Sequence, residues 1–244
     1  MAALRTIWAA LVSLYDETLV LVMSNVAWLV LNVPLFLILL AVALPLGGDT
    51  TQGGAQWLMI VCAWLLLVLP TPGGVALAAV AAVAAGPNAP QMRIFWSALR
   101  QHWRLALACF LASTVIAVAL LANAYFYAVF STGWLRFVSI IWLYASVFWL
   151  SVHMYVLPLL VHIGEPRLLD VYRRAALLAL GHPLYTLLLL LVILAVGLIS
   201  VVFLPAYVLM GGAFAAMVRA HALREIRRRH GDLVAETEEE VGTL

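Results

Sequence analysis

The sequence contains no lysine, two cysteines and few charged side chains of either sign. Charged residues make up 10% of its 244 residues, hydrophobic residues make up 66%, and the mean hydropathy is +1.11. A typical soluble domain is about one quarter charged, because polar side chains must cover its surface. The composition therefore excludes an ordinary soluble fold and predicts an integral membrane protein.

These absences also exclude several classes of function. Cys62 and Cys109 both lie inside apolar runs, so a secreted disulfide scaffold is excluded. Without lysine the chain has no Walker motif, and it contains neither a Gly-x-Ser-x-Gly nor a His-Glu-x-x-His motif. A net charge of +2 gives no argument for a nucleic-acid partner. The sequence therefore predicts no catalytic residue, no cofactor and no metal site.

Long stretches of the chain contain no Asp, Glu or Arg. They cover residues 18–48, 50–92, 105–135, 137–164 and 175–218. A helix needs about 20 mostly apolar residues to cross the hydrocarbon core of a bilayer. The stretches do not alternate polar and apolar residues as barrel strands do, and a helix satisfies its own backbone groups in lipid. The expected fold is all-α: a polytopic transmembrane helix bundle with short amphipathic interfacial helices.

Prolines and short polar segments divide these stretches into about six predicted spans. The spans cover residues 19–44, a segment from residue 57, and residues 105–129, 135–160, 184–204 and 207–220. One helix over residues 183–220 would be about 60 Å long, twice the thickness of a bilayer core. Pro205 is therefore predicted to divide it into two spans, and a five-span bundle is the alternative.

The arginines predict the orientation of the bundle. They cluster in residues 93–104, 167–174 and 219–229, and basic residues concentrate in the cytoplasmic loops of membrane proteins. With six spans and both termini in the cytoplasm, all three clusters fall on the cytoplasmic side. Five spans would place the most basic segment outside the cell, so the six-span arrangement is the better prediction.

Three regions are expected along the chain. Residues 1–18 are predicted to form an amphipathic interfacial helix, with an extension of the first span as the alternative. Residues 19–222 form the transmembrane bundle, and residues 223–244 combine a basic helix end with a disordered acidic cytoplasmic tail. The arginines of residues 219–229 are expected to attract anionic lipid headgroups. The expected partners are thus the lipid bilayer and these headgroups, without nucleic acid.

The second apolar stretch is interrupted by Pro70, Pro72, Gly73 and Gly74. The prolines break a helix there, and the glycines allow a new helix to begin with free backbone N–H groups. Discontinuous helices of this kind form midplane substrate sites in many transporters. The alternative is a span followed by an interfacial segment that bends at the cytoplasmic surface. The sequence leaves both interpretations open.

Polar side chains inside the predicted spans are candidates for a solute or packing site. Asn25 and Asn32 are two helical turns apart, so they share one face of the first span, with Trp28 between them. His153 is the only ionisable side chain predicted deep in the membrane. Hydrogen bonding between helices and contact with a solute both explain these residues. No second histidine or carboxylate follows His153 at ligand spacing, so haem or metal ligation is not expected.

Two amphipathic segments precede the third and fifth predicted spans, at residues 94–104 and 169–184. Their aromatic and charged residues either anchor the segments at the membrane interface or dock a cytosolic partner. The candidate docking residues are Trp96, Arg100, Trp103, Asp170, Arg173 and Arg174.

Four motifs carry a resemblance to a known family. They are Asn25-Val-Ala-Trp28, Pro72-Gly73-Gly74-Val-Ala76-Leu77 and the two amphipathic segments just described. Together they resemble the YesL-like family of small bacterial integral membrane proteins, although residues 35–69 are longer than the family's usual spacing. The resemblance implies a bacterial inner (plasma) membrane protein of unassigned biochemical activity that accompanies carbohydrate uptake.

The expected function is a non-enzymatic accessory or interaction subunit of a bacterial membrane complex, whose partners include transporter subunits. The alternative is a small transporter with a midplane site at the broken second helix. In that case Asn25, Asn32, His153 and the residues of the break line the site.

Overall fold

The computed structural model describes residues 2–46, 67–163, 167–202 and 210–229. All regular secondary structure in these residues is helical, as the sequence predicts. A short 3₁₀ helix, Gly133–Phe137, leads into the helix that begins at Val138. The helices are α1 (Ala2–Asp16), α2 (Thr18–Leu46), α3 (Pro72–Ala84), α4 (Met92–Val129), α5 (Val138–His162), α6 (Leu168–Gly181), α7 (Pro183–Val202) and α8 (Gly212–Arg229).

Three segments are long and apolar enough to cross a membrane: Thr18–Ala41, Met92–Val129 and Gly133–His162. Helices α6 and α7 form a fourth candidate span if they are counted together. Residues 57–66 and 203–209, which belong to the predicted second, fifth and sixth spans, lie outside the described residues. The membrane character of the chain thus agrees with the sequence, whereas the number of six spans stays a prediction.

Helix α3 lies inside the bundle. The Thr71 Oγ1 accepts a hydrogen bond from the backbone N–H of Gly74 at 3.0 Å and caps the helix, and Pro72 suits the first turn because its missing N–H is not needed there. Its small alanine side chains let α2, α4, α5 and α8 pack around it. Ten of its 13 residues are buried, so α3 is not a segment lying on the surface of the bundle.

Helices α6 and α7 meet at an angle of 104° next to His182. Helix α6 packs onto the bundle, chiefly onto α5, with the small side chains of Val171, Ala175 and Ala179 on its buried face. The predicted amphipathic segment at residues 169–184 is therefore a separate helix that turns sharply into the next apolar helix.

The other amphipathic segments differ in how they join the spans. Residues 94–104 are the first turns of α4, which at about 57 Å is much longer than a bilayer core. Helix α1 ends at Asp16 and packs against α7 and α8, and α2 begins at Thr18. Backbone hydrogen bonds continue across this junction, where Leu21 N–H donates to the Glu17 carbonyl at 3.1 Å.

Candidate functional site

The ring of Trp28 is packed between two glycines from distant parts of the chain. An added Cβ atom at Gly73 would lie 3.3 Å from Trp28 Cδ1, and one at Gly212 would lie 2.9 Å from Trp28 Cε3. The Asn25 Oδ1 accepts a hydrogen bond from the backbone N–H of Ala213 at 2.8 Å. Helices α2, α3 and α8 therefore meet at close range around one aromatic ring.

Asn32 lies beside the same ring, one turn further along α2. Its Nδ2 donates to the Trp28 carbonyl at 2.8 Å and would lie 3.4 Å from a Cβ atom at Gly73. In the described part of the chain, no group donates a hydrogen bond to the buried Asn32 Oδ1. The structure therefore places Asn32 at the Pro70–Gly74 break, whereas Asn25 contacts the start of α8 on the other side of Trp28.

Arg219 completes this group of residues. Its side chain is 3% exposed, and Nη2 donates to the Leu67 carbonyl at 2.8 Å and to the Val68 carbonyl at 3.5 Å. These carbonyls precede the break at Pro70, where the helical hydrogen-bond ladder stops, so they need donors from elsewhere. The Arg219 Nε has no partner among the described residues. We call Asn25, Trp28, Asn32, Gly73, Gly212 and Arg219 the break cluster.

The burial of Arg219 is not predicted by the sequence. The sequence groups Arg219 with the other arginines of residues 219–229, which are expected to contact lipid headgroups. Instead, Arg219 is buried among small residues, because it lies on the same stretch of α8 as Gly212 and Ala216. A basic residue one turn after a small-residue stripe is the signal that could have indicated this burial.

The cavity beside Arg219 is small. Its volume is about 10 Å³, which leaves room for about one water molecule. The lining residues are Trp28, Leu67, Leu69, Gly74, Leu77, Leu157, Gly212, Ala216 and Arg219. As the described residues form it, this cavity is too small for a solute of the size of a sugar.

His153 lies in a second cluster, on α5, where it contacts α4 and α6. Its Nε2 lies 2.8 Å from Ser113 Oγ, and its Nδ1 lies 2.7 Å from the Trp149 carbonyl. The Tyr172 hydroxyl bonds to Ser113 Oγ and donates to the Cys109 carbonyl at 3.1 Å. We call Ser113, Trp149, His153 and Tyr172 the relay cluster.

The proton positions in the relay cluster follow from the partners. A carbonyl oxygen only accepts, so the Nδ1 of His153 carries the proton that is donated to Trp149. In the neutral ring, Nε2 then accepts from the Ser113 hydroxyl. Both ring nitrogens are therefore occupied by hydrogen bonds.

Sequence reasoning identified His153 but missed its partners. Tyr172 belongs to α6, where its ring stacks on Trp149 with the centroids 5.5 Å apart and the planes 7° apart. Ser113 interrupts an otherwise apolar stretch of α4 and is fully buried. A hydroxyl in an apolar span is a signal for interhelical hydrogen bonding, but the partner of Ser113 could not be read from the sequence.

The predicted docking residues occupy two exposed surfaces. Trp96, Arg100 and Trp103 share one face of α4, and the two tryptophans are 44% and 46% exposed. The guanidinium of Arg104 lies 5.4 Å from the Trp103 ring centroid, in cation–π contact. On α6, the side chains of the three other candidates are exposed: Asp170, Arg173 and Arg174.

In the part of the chain that the structure describes, no three His, Cys, Asp or Glu side chains come together as a metal site. Comparison of the chain with family models, curated proteins and solved structures gives no match. The resemblance to the YesL-like family therefore stays a prediction.

Proposed function

We propose that the protein is a non-enzymatic interaction subunit of a bacterial membrane complex, and that the outer face of α6 contacts its partner. The observation that carries the proposal is a ridge of exposed leucines on this helix, at least 60% exposed each. We call Leu169, Leu177 and Leu180 the leucine ridge, and Arg173 lies on the same face between Leu169 and Leu177.

The leucine ridge is held rigidly, because the opposite side of α6 is fixed to the bundle. Ala175 and Ala179 are buried there, and Tyr172 bonds to Ser113 of α4 and stacks on Trp149 of α5. Asp170 and Arg174 flank the ridge and supply charges of both signs. A fixed apolar face with a charged rim has the composition of a protein interface.

The proposal includes a topology and a location that the sequence predicts. Six spans with both termini in the cytoplasm would place α6 on the cytoplasmic face of a bacterial inner membrane. With α7 crossing the membrane, the 104° bend would lay α6 along the membrane surface. The association with carbohydrate uptake rests on the resemblance to the YesL-like family.

The relay cluster supports a role without catalysis. Ser113 and His153 are 2.8 Å apart, as in a nucleophile–base pair, but both are fully buried. The group that orients the histidine is a backbone carbonyl rather than a carboxylate. Their hydrogen bonds serve the packing of α4, α5 and α6 instead of a reaction at an accessible hydroxyl.

Photocrosslinking in the intact bacterium tests the leucine ridge. A photoreactive residue at Leu177 or Leu180 should give a discrete protein adduct that mass spectrometry identifies as the same partner at both positions. The same residue at Ile140 of α5 is the control, because that side chain is 60% exposed and lies on another apolar helix. If Leu177 and Leu180 give only lipid adducts, as we expect for Ile140, the interaction function is wrong.

The break cluster favours a second candidate, the small transporter. Arg219 Nε and Asn32 Oδ1 lack partners among the described residues, although both are buried beside a helix break. Ionisable side chains inside membranes often mark substrate pathways. Solute uptake into liposomes by the purified protein alone, lost in Asn32→Leu, would support transport and contradict the interaction subunit.

A further inference from the structure

A cavity of about 340 Å³ lies between the N-terminal half of α1 and the C-terminal half of α8. It is far larger than the cavity at the break and has the volume of a small-molecule site. The residues that line it are Arg5, Thr6, Ala9, His221, Arg224, Glu225 and Arg228. We call it the arginine pocket.

The charge of the arginine pocket is positive. Arg5, Arg224 and Arg228 contribute three guanidinium groups, and Glu225 is the one carboxylate among the lining residues. Guanidinium groups bind phosphate oxygens through paired, charge-assisted hydrogen bonds. Three arginines from two helices line this one cavity, which favours a phosphate group over a cation or a neutral sugar.

Helix α1 indicates the depth at which this pocket lies. One face of the helix carries large apolar side chains that are between 44% and 83% exposed. Tryptophan and tyrosine with leucine on such a face are typical of a helix lying in the membrane interface. The face consists of Leu4, Trp8, Leu11 and Tyr15. Arg5 follows directly after Leu4, so a helix lying in the interface would place the pocket at the level of the lipid headgroups.

Two hydrogen bonds between side chains join α1, one wall of the pocket, to α7 and to α8. The Thr6 and Tyr185 hydroxyls are 2.8 Å apart, and the Ser13 hydroxyl lies 3.0 Å from His221 Nε2. Burial and, to a smaller extent, the nearby charge of Arg224 lower the pKa of His221 to about 4. The histidine is therefore neutral at pH 7 and ties α1 to α8 without adding charge.

We propose that the arginine pocket binds the phosphate-bearing headgroup of an anionic phospholipid. Arg5, Arg224 and Arg228 hold the phosphate oxygens, and the remaining volume accommodates the glycerol part of the headgroup. The acyl chains then extend along the apolar face of α1. The bound lipid thus contacts both α1 and α8.

Native mass spectrometry of the delipidated full-length protein tests the proposal. We expect the protein to retain one phosphatidylglycerol, and to retain phosphatidylcholine at least tenfold more weakly. Arg5→Gln should lower phosphatidylglycerol retention about tenfold, because it removes a charged partner of the phosphate. Arg93→Gln is the matched control: it removes an exposed arginine outside the pocket and should leave retention unchanged.

Two further experiments distinguish binding of a lipid phosphate from binding of free phosphate. Inorganic phosphate at millimolar concentration should not displace the lipid; displacement would show a site for free phosphate and overturn the proposal. Ala9→Trp fills the pocket without changing its charge and should abolish retention. Equal loss in Arg93→Gln, or full retention in Ala9→Trp, would show general charge attraction instead. Circular dichroism and gel filtration confirm that each variant is folded.

Discussion

The two polar clusters inside the bundle differ in how completely they use their hydrogen-bonding groups. In the relay cluster, both nitrogens of His153 and the hydroxyls of Ser113 and Tyr172 have partners, and Trp149 Nε1 lacks one within the described residues. In the break cluster, Arg219 Nε and Asn32 Oδ1 have none within the described residues. Paired buried groups fix helix positions, whereas unpaired buried groups reduce stability. The break cluster therefore leaves more of its polar groups unpaired than the relay cluster does.

The largest effect is expected from Gly212→Ala. The added methyl group would lie 2.5 Å from Asn25 Oδ1 and 2.9 Å from the Trp28 ring, so α8 must move away from α2. We expect the free energy of unfolding to fall by about 2–3 kcal/mol. The free energy of unfolding is measured by titration with a denaturing detergent. Gly181→Ala is the control, since nothing lies within 4 Å of its Cβ position, and equal loss there would contradict the close packing.

A smaller loss is expected from Arg219→Met. The variant fills the volume of the arginine stem but leaves the Leu67 and Val68 carbonyls without their donor. We expect the free energy of unfolding, measured by the same titration, to fall by about 2 kcal/mol. This is the typical value of a buried hydrogen bond to a charged group. Unchanged stability would mean that the hydrogen bonds of Arg219 only offset the cost of burying its charge. The two clusters would then not differ in how their polar groups affect stability.

The relay cluster should respond as a coupled unit. Ser113→Ala and Tyr172→Phe each remove a hydroxyl while the Trp149–Tyr172 stack remains, so each should cost about 1 kcal/mol. Because the two hydroxyls bond to each other, the double variant should lose less than the sum, by at least about 0.5 kcal/mol. Tyr144→Phe is the control, as its side chain is 75% exposed. Additive losses would show that the hydroxyls act independently.

Asn32→Leu should have the smallest effect. The substitution removes an unpaired buried oxygen together with one hydrogen bond to the Trp28 carbonyl. We expect the free energy of unfolding to change by less than about 0.5 kcal/mol, because the two contributions oppose each other. A large fall in the free energy of unfolding would indicate that Asn32 Oδ1 has a hydrogen-bond partner. The polar groups of the break cluster would then be as completely paired as those of the relay cluster.

The sequence predicts the apolar helices and the break well, because both depend on local chemistry. Charge-free runs are helical in lipid, and Pro70 and Pro72 interrupt a helix wherever they occur. The shared face of Asn25, Trp28 and Asn32 follows from helical periodicity alone. These features needed no knowledge of the partner helices.

The contacts across the bundle were beyond such reasoning. In the sequence, Arg219 looks like the other arginines of the same segment. Its buried position depends on the carbonyls of Leu67 and Val68, which are far away in the sequence. His153 was expected beside Asn25 and Asn32, but the approach of α6 brings Tyr172 to it instead. Tertiary packing decides which helices contact each other, and local patterns in a single sequence do not reveal these contacts.

The contact between Arg219 and the Leu67 carbonyl has a consequence for biogenesis. The chain is synthesised from its N-terminus, so the carbonyls before the break are made long before their donor exists. Until α8 is made, other groups or water must bond to these carbonyls, because a buried carbonyl without a donor costs free energy. The packing around the break thus depends on a helix that is made more than 140 residues later.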